Sequence, residues 1–235
     1  MRMVRNHCLA IVLVGAAATF AGIGLALAQT PAAAPSGTPV WPADVDAKSG
    51  FRLPLPKRED LDEVARRRYD RASTPGSNIA GLQGPSGIAL YSPKTSDPLN
   101  AVSFYLRQEA GLGPRIREIA LIITSRSMDN QFEWTAHEPE AIKAGVPQSV
   151  IDVIKFHKST AGLDATDAVV IDLGRAIWKD HKVSSELFAR AKAIFGPHKL
   201  VDLVLLMGSH ASTAALLTTF DMQLHKGVQP LLPIP

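Results

Sequence analysis

An all-α domain is predicted by three features of this sequence. Beyond Pro98, apolar residues recur at the spacing of amphipathic helices. Stops at Gly111-Leu112-Gly113-Pro114, Gly145-Val146-Pro147, Gly162 and Gly196-Pro197 cut this stretch into helix-sized lengths. No run alternates apolar and polar residues as a half-buried strand would. Helices are expected at about 97–110, 115–128, 131–144, 147–158, 166–181, 184–195 and 198–222.

The boundaries have local causes. Pro114, Pro147 and Pro197 fall near helix starts, where the missing N–H costs nothing. Thr166-Asp167 and Ser184-Ser185-Glu186 supply N-caps. Pro139 is different, because it lies inside the segment Gln131 to Gly145 and presses on the carbonyl of Thr135. That helix should kink or restart close to His137.

Upstream, Lys57 to Tyr69 has acids in its first turns and bases in its last, matching the helix dipole. Its few apolar positions predict a surface helix, with Arg66 to Arg68 a solvated face. Ser73 to Pro98 is rich in glycine and proline, without periodicity, and reads as a long loop of the kind that often serves function.

The N-terminus carries Arg2 and Arg5, then an uncharged run from Cys8, then Ala26-Leu27-Ala28. This is the three-part pattern of a secretory signal over residues 1–28, with cleavage before Gln29. The expected location is outside the cytoplasm, in the periplasm. The run is also long enough to span a bilayer, so an uncleaved anchor is the competing reading and the one route to membrane association. Cys8 is the chain's one cysteine and leaves with the signal, so the mature part has no thiol chemistry.

Residues 29–56 are dense in Pro, Ala, Gly and Ser and are expected to form a disordered tether. The remaining 57–235 fits one domain, large enough to build a core without disulfides, with its helical centre at about 98–225. Loss of two arginines with the signal lowers the formal charge from +3 to about +1, which removes any global electrostatic case for nucleic acid.

Chemistry concentrates in Gln131-Phe132-Glu133-Trp134-Thr135-Ala136-His137. A spacing of four places Glu133 and His137 on one helix face, where a carboxylate can orient an imidazole and raise its basicity. Such a pair suits general acid–base work near neutral pH. His210 lies in Leu206-Met207-Gly208-Ser209-His210-Ala211-Ser212, where small neighbours permit close approach of a helix or a ligand. It reads either as a third site residue or as a hydrogen-bonded core histidine. Glu133, His137 and His210 also form a formal two-His, one-carboxylate set, although their spacing matches no closed zinc motif. His157, His181, His198 and His225 sit at predicted helix ends and need no functional explanation.

Arg117-Glu118 ahead of an apolar helix, then Glu133-Trp134-x-x-His137, Ala141-x-x-x-Gly145-Val146 and Ile151-x-x-Ile154, together resemble the carboxymuconolactone decarboxylase family, which includes the AhpD-type alkylhydroperoxidases. The resemblance covers about Pro98 to His225. It implies an AhpD-like multi-helix bundle that associates into trimers or hexamers through apolar helices, for which Leu200 to Phe220 is suited. In the peroxidase branch a Cys-x-x-Cys precedes the histidine. Here Asn130 and Glu133 stand at those positions, so a thiol peroxidase is not expected.

The decarboxylase branch carries Glu four residues before the His, as here. The resemblance therefore implies a carboxy-lyase-like enzyme with Glu133, His137 and Glu118 as catalytic residues. Arg115 or Arg117 would hold a substrate carboxylate, and Trp134 and His210 would border the site. No cofactor or metal is required for this chemistry. The alternatives are a small-molecule or partner-binding module without catalysis, and a peroxide-handling protein in which a metal replaces cysteine.

Overall fold

The computed structural model describes residues 41–76 and 80–233. Among them are eight α-helices and no strand: α1 Glu63–Ser73, α2 Pro85–Ala89, α3 Pro93–Gln108, α4 Pro114–Ser127, α5 Gln131–Lys143, α6 Gln148–Lys155, α7 Ala165–Arg175 and α8 Ser185–Thr219. A 3-10 turn, Arg58–Asp60, precedes α1, and a π-helical turn, Ala176–Asp180, extends α7. The all-α expectation holds.

The centre of the fold is α4. Every residue from Glu118 to Ser125 is buried, because α5, α6, α7 and α8 all pack against it. A helix covered on all sides must be apolar nearly all round, which explains Ile119 to Ile123. Glu118, Thr124 and Ser125, the polar residues of this stretch, are then the exceptions that need partners. Gly174 of α7 allows the closest approach to α4, since a Cβ there would lie 2.6 Å from Ile123 Cγ1.

The long α8 breaks at Gly196, whose φ of +69° is favourable for glycine, so it comprises two helices in the places the stop signal predicts. It is long and apolar enough to cross a membrane, yet it packs against α3, α4 and α7 and contributes Leu200, Leu203, Leu206 and Met207 to the core. The outer side of the site is built by α1, α2 and α3, with α2 and α3 also resting on α8.

Several expectations need correction. The tether predicted over 29–56 is folded from 41 onward. Phe51 is fully buried among Ile88, Phe132, Leu217 and Met222, and backbone hydrogen bonds join Arg52 to Phe220 and Gln223 to Gly50. Prolines there exclude a helix without excluding burial of Phe51. The signal expected over 1–28 and the first part of the tether lie outside the described residues.

The predicted loop Ser73 to Pro98 contains α2 and the start of α3, each opened by a proline in its first turn. Pro98 lies within α3, so it does not mark a loop end. The predicted helix 57–69 instead starts at Glu63, where Asp62 caps it by accepting from Ala65 N. Pro139 is likewise carried inside α5 without a restart. Asp164 caps α7, two residues ahead of the predicted Thr166, whereas Ser184 caps α8 as predicted.

Candidate functional site

The α4–α5 hairpin assembles the centre of the site. Asn130 caps α5 by accepting from Glu133 N, and its amide donates to Ala214 O and Thr218 Oγ1 of α8. One side chain thus starts the helix that carries Glu133 and His137 and ties it to the helix that carries His210. Asp129, at φ +46°, makes the tight turn between α4 and α5.

Glu118 and His137 meet across this hairpin, with Nδ1 of the ring 2.9 Å from Glu118 Oε2. Arg117 Nε donates to the other carboxylate oxygen at 2.9 Å, and its NH1 donates to Arg107 O. Burial pushes Glu118 up, but the hydrogen bonds and charges of His137 and Arg117 outweigh it and hold the carboxyl below its ordinary value. An ionised Glu118 only accepts, so Nδ1 of His137 carries a proton and Nε2 is left for other work.

That Nε2 lies 3.5 Å from Glu133 Oε2. Glu133 is buried, with His137 and His210 beside its carboxylate and no lysine or arginine paired with it among the described residues, and burial raises its proton affinity against the pull of His137 and Arg107. Two carboxylates therefore flank one imidazole with proton affinities moved in opposite directions, an arrangement that separates an orienting group from a proton-exchanging one.

His210 completes the cluster from α8. Its Nε2 is 3.5 Å from Glu133 Oε2 and 2.9 Å from Ser125 Oγ. Ser125 spends its proton on Leu121 O, so it accepts from Nε2–H of His210. Nδ1 of His210 then accepts from Arg107 at 3.4 Å. Burial, together with the charges of His137 and Arg107, keeps His210 well below the usual histidine range and neutral. His210 is thus a buried, hydrogen-bonded residue that lies beside Glu133 and His137.

A cavity of about 540 Å³ opens on this cluster. Its walls include Arg68, Arg107, Glu133, His137, Ser209 and Thr213. Burial lowers the proton affinity of Arg107, which remains a cation with Glu133 and Glu118 nearby. A second cavity of about 570 Å³ lies between Trp41, Phe132, Met222 and His225, and contains none of the clustered residues.

The other expected site residues are elsewhere. Arg115 forks onto Asp167 of α7 with two hydrogen bonds of 2.5 Å and does not line the cavity. Arg117 braces Glu118 and does not line the cavity. Trp134 is a core residue with no exposure, and its Nε1 donates to Glu138. Arg66 to Arg68 is not simply a solvated face, because Arg68 is buried and pairs with Asp97 at 3.0 Å.

Sequence reasoning missed Arg107, Ser125 and Arg68. A weak signal exists for Arg107. Ser96, Asn100, Ser103 and Arg107 form a polar stripe at helical spacing, but a stripe facing a cavity and one facing solvent look alike in sequence.

Glu133, His137 and His210 offer ligand atoms within 4.8 Å of one another, so this set has the composition of a transition-metal site. In the hydrogen-bond pattern described, the lone pair that His210 would offer through Nε2 is taken by the proton shared with Ser125.

The raised proton affinity of Glu133 has a cost for stability. Its folded pKa lies above the unfolded value near 4.5, so the protonated form stabilises the fold below that value and the contribution is lost as pH rises through the folded pKa. Glu133→Gln, which cannot ionise, should therefore melt higher than the wild type by a margin that grows as pH rises from the unfolded value through the folded pKa. A margin that is flat or shrinks over that range in thermal melts would contradict the assignment.

No protein family, curated protein or solved structure matches this chain.

Proposed function

We propose that the chain is an exported, cofactor-independent enzyme of the carboxymuconolactone decarboxylase-like type, with an AhpD-like fold, that moves a proton on a small carboxylated or lactone-like molecule. The observation that carries this reading is His137, held by an ionised Glu118 on one ring nitrogen and facing a protonatable Glu133 and a cation-lined cavity with the other.

In this reading Arg107 takes the place expected for Arg115 or Arg117 and anchors the substrate carboxylate. For decarboxylation, the electrons of the breaking C–C bond pass to an enolate, CO₂ departs, and the Glu133–His137 pair delivers the proton to carbon. For isomerisation, the same pair removes a proton from carbon and returns it at another position. Glu118 is a positioning residue, because it acts through the ring and does not line the cavity. The exposed Val201, Leu205 and Leu216 on α8 suit association with further copies, which sedimentation at micromolar concentration would reveal.

The test uses purified chain treated with EDTA. It should release CO₂ from, or exchange solvent deuterium into, at least one member of a panel of carboxylated lactones and unsaturated small acids. Stoichiometric binding with no exchange or release on any member would leave a binding module. Activity that falls on chelation and returns with a divalent transition metal would move the reading to a metal centre on Glu133, His137 and His210, the set whose ligand atoms already converge.

A further inference from the structure

The cavity has a second cation far from the chemistry. Arg68 comes from α1, outside the stretch that carries the family resemblance, and it lines the same cavity as Arg107, Glu133 and His137. Its residue exposure is 6%. One guanidinium nitrogen, NH2, donates to Asp97, while the buried Nε–H has no partner among the described residues. A buried, unpaired donor on a charged group is costly, and a ligand that accepts from it removes the cost.

The floor between the two cations is α3. Ser96, Asn100, Ser103 and Arg107 are spaced four, three and four residues apart, on one helix face, and all four line the cavity. Asp97, which fixes the head of Arg68, and Arg107 are ten residues apart on this helix, or about 15 Å along its axis. A small anion bound at Arg107 would leave Arg68 unanswered. A compact neutral ligand would answer neither.

We propose that the natural ligand is an elongated molecule with an anionic group at each end. One end sits on Arg107 beside Glu133 and His137, the body lies along the polar stripe of α3, and the other end accepts from Arg68. Arg68 is then the residue that selects length and charge. This rests on the proposed function for which end reacts, but not for which ends bind.

The probes are the dicarboxylates glutarate, adipate, suberate and sebacate, each compared with the monocarboxylate of equal length, by calorimetry on the full chain. At the length that spans the cavity, the dicarboxylate should bind about tenfold more tightly than its monocarboxylate, the scale of one added charge-assisted contact. Arg68→Met should erase that preference and leave the monocarboxylate unchanged, whereas Arg107→Met should weaken both. Arg68→Lys keeps the charge but not the Nε–H, and should retain an intermediate preference; it carries the test if the methionine variant melts before assay temperature.

Asp97→Asn separates binding from structure, since it loosens the Arg68 pair without removing the cation. It should keep or enhance the dicarboxylate preference. A preference that survives Arg68→Met, one that is lost equally in Asp97→Asn, or none at any length would overturn the proposal. Deuterium exchange is read separately. A dicarboxylate preference that depends on Arg68 supports the proposal even where no exchange occurs, and exchange without any such preference ends it while leaving the acid–base reading intact.

Discussion

His137→Ala should lower CO₂ release or deuterium exchange by about 10²–10⁴-fold while the helices remain. The size follows from losing a positioned proton carrier, and the survival of the fold follows from the bonds that stay. Glu118 keeps Arg117 on its other oxygen, so no carboxylate is left buried and alone. Removing the ring opens space next to a cavity that already exists, so added imidazole should restore part of the rate. Glu133→Gln should lower the rate on the same scale and, in contrast to His137→Ala, should not respond to imidazole. A His137→Ala protein of unchanged activity, with helical content verified by circular dichroism, would reduce the Glu118–His137 pair to core hydrogen bonding and end the catalytic reading.

Arg115→Ala should cost about 3 kcal/mol of stability and leave ligand binding in the cavity unchanged. Asp167 is almost fully buried, with 1% of its side chain exposed, and Arg115 supplies both of its charge-assisted hydrogen bonds. Removing the arginine strands a carboxylate in the interior, which costs more than the pair itself contributes. The lower end of the usual range applies because the arginine is one-third exposed, at 34%. For a domain of this size the melting temperature should fall by roughly 6–12 °C. Arg115→Ala combined with Asp167→Asn should recover more than half of that, because the charge is gone as well as its partner. A melting temperature unchanged in the single variant would contradict the buried-pair argument. Weaker binding of monocarboxylates at full stability would return Arg115 to the role first expected for it.

Reading these residues from sequence succeeded where periodicity decides and failed where chain reversal decides. The spacing of four that places Glu133 beside His137 is a property of one helix, and so is visible in the sequence. Glu118 was placed next to them through resemblance rather than spacing, since nineteen residues and a turn separate it from His137. Arg115 and Arg117 looked equivalent, two residues apart on one helix. That spacing turns a side chain by about 200°, so one reaches Asp167 and the other Glu118. Burial of Arg68 and Phe51 was invisible for a different reason. Both lie in segments of poor periodicity, where composition predicts exposure and only the helices that close over them decide otherwise. Proline also misled in both directions, marking the starts of α2 and α4 but passing through α3 and α5.

The Asn130 cap and the α8 contacts divide the site by distance along the chain. Glu118 and His137 meet across a short hairpin, whereas Ser125 meets His210 over 85 residues and Arg107 meets His210 over 103. Short loops close at less entropic cost than long ones, so the hairpin half can form early and the α8 half must follow. Dehydration of Glu133 belongs to that second event. A refolding experiment that follows amide protection by pulsed hydrogen exchange should therefore see two clocks, with α8 protected after α4 and α5.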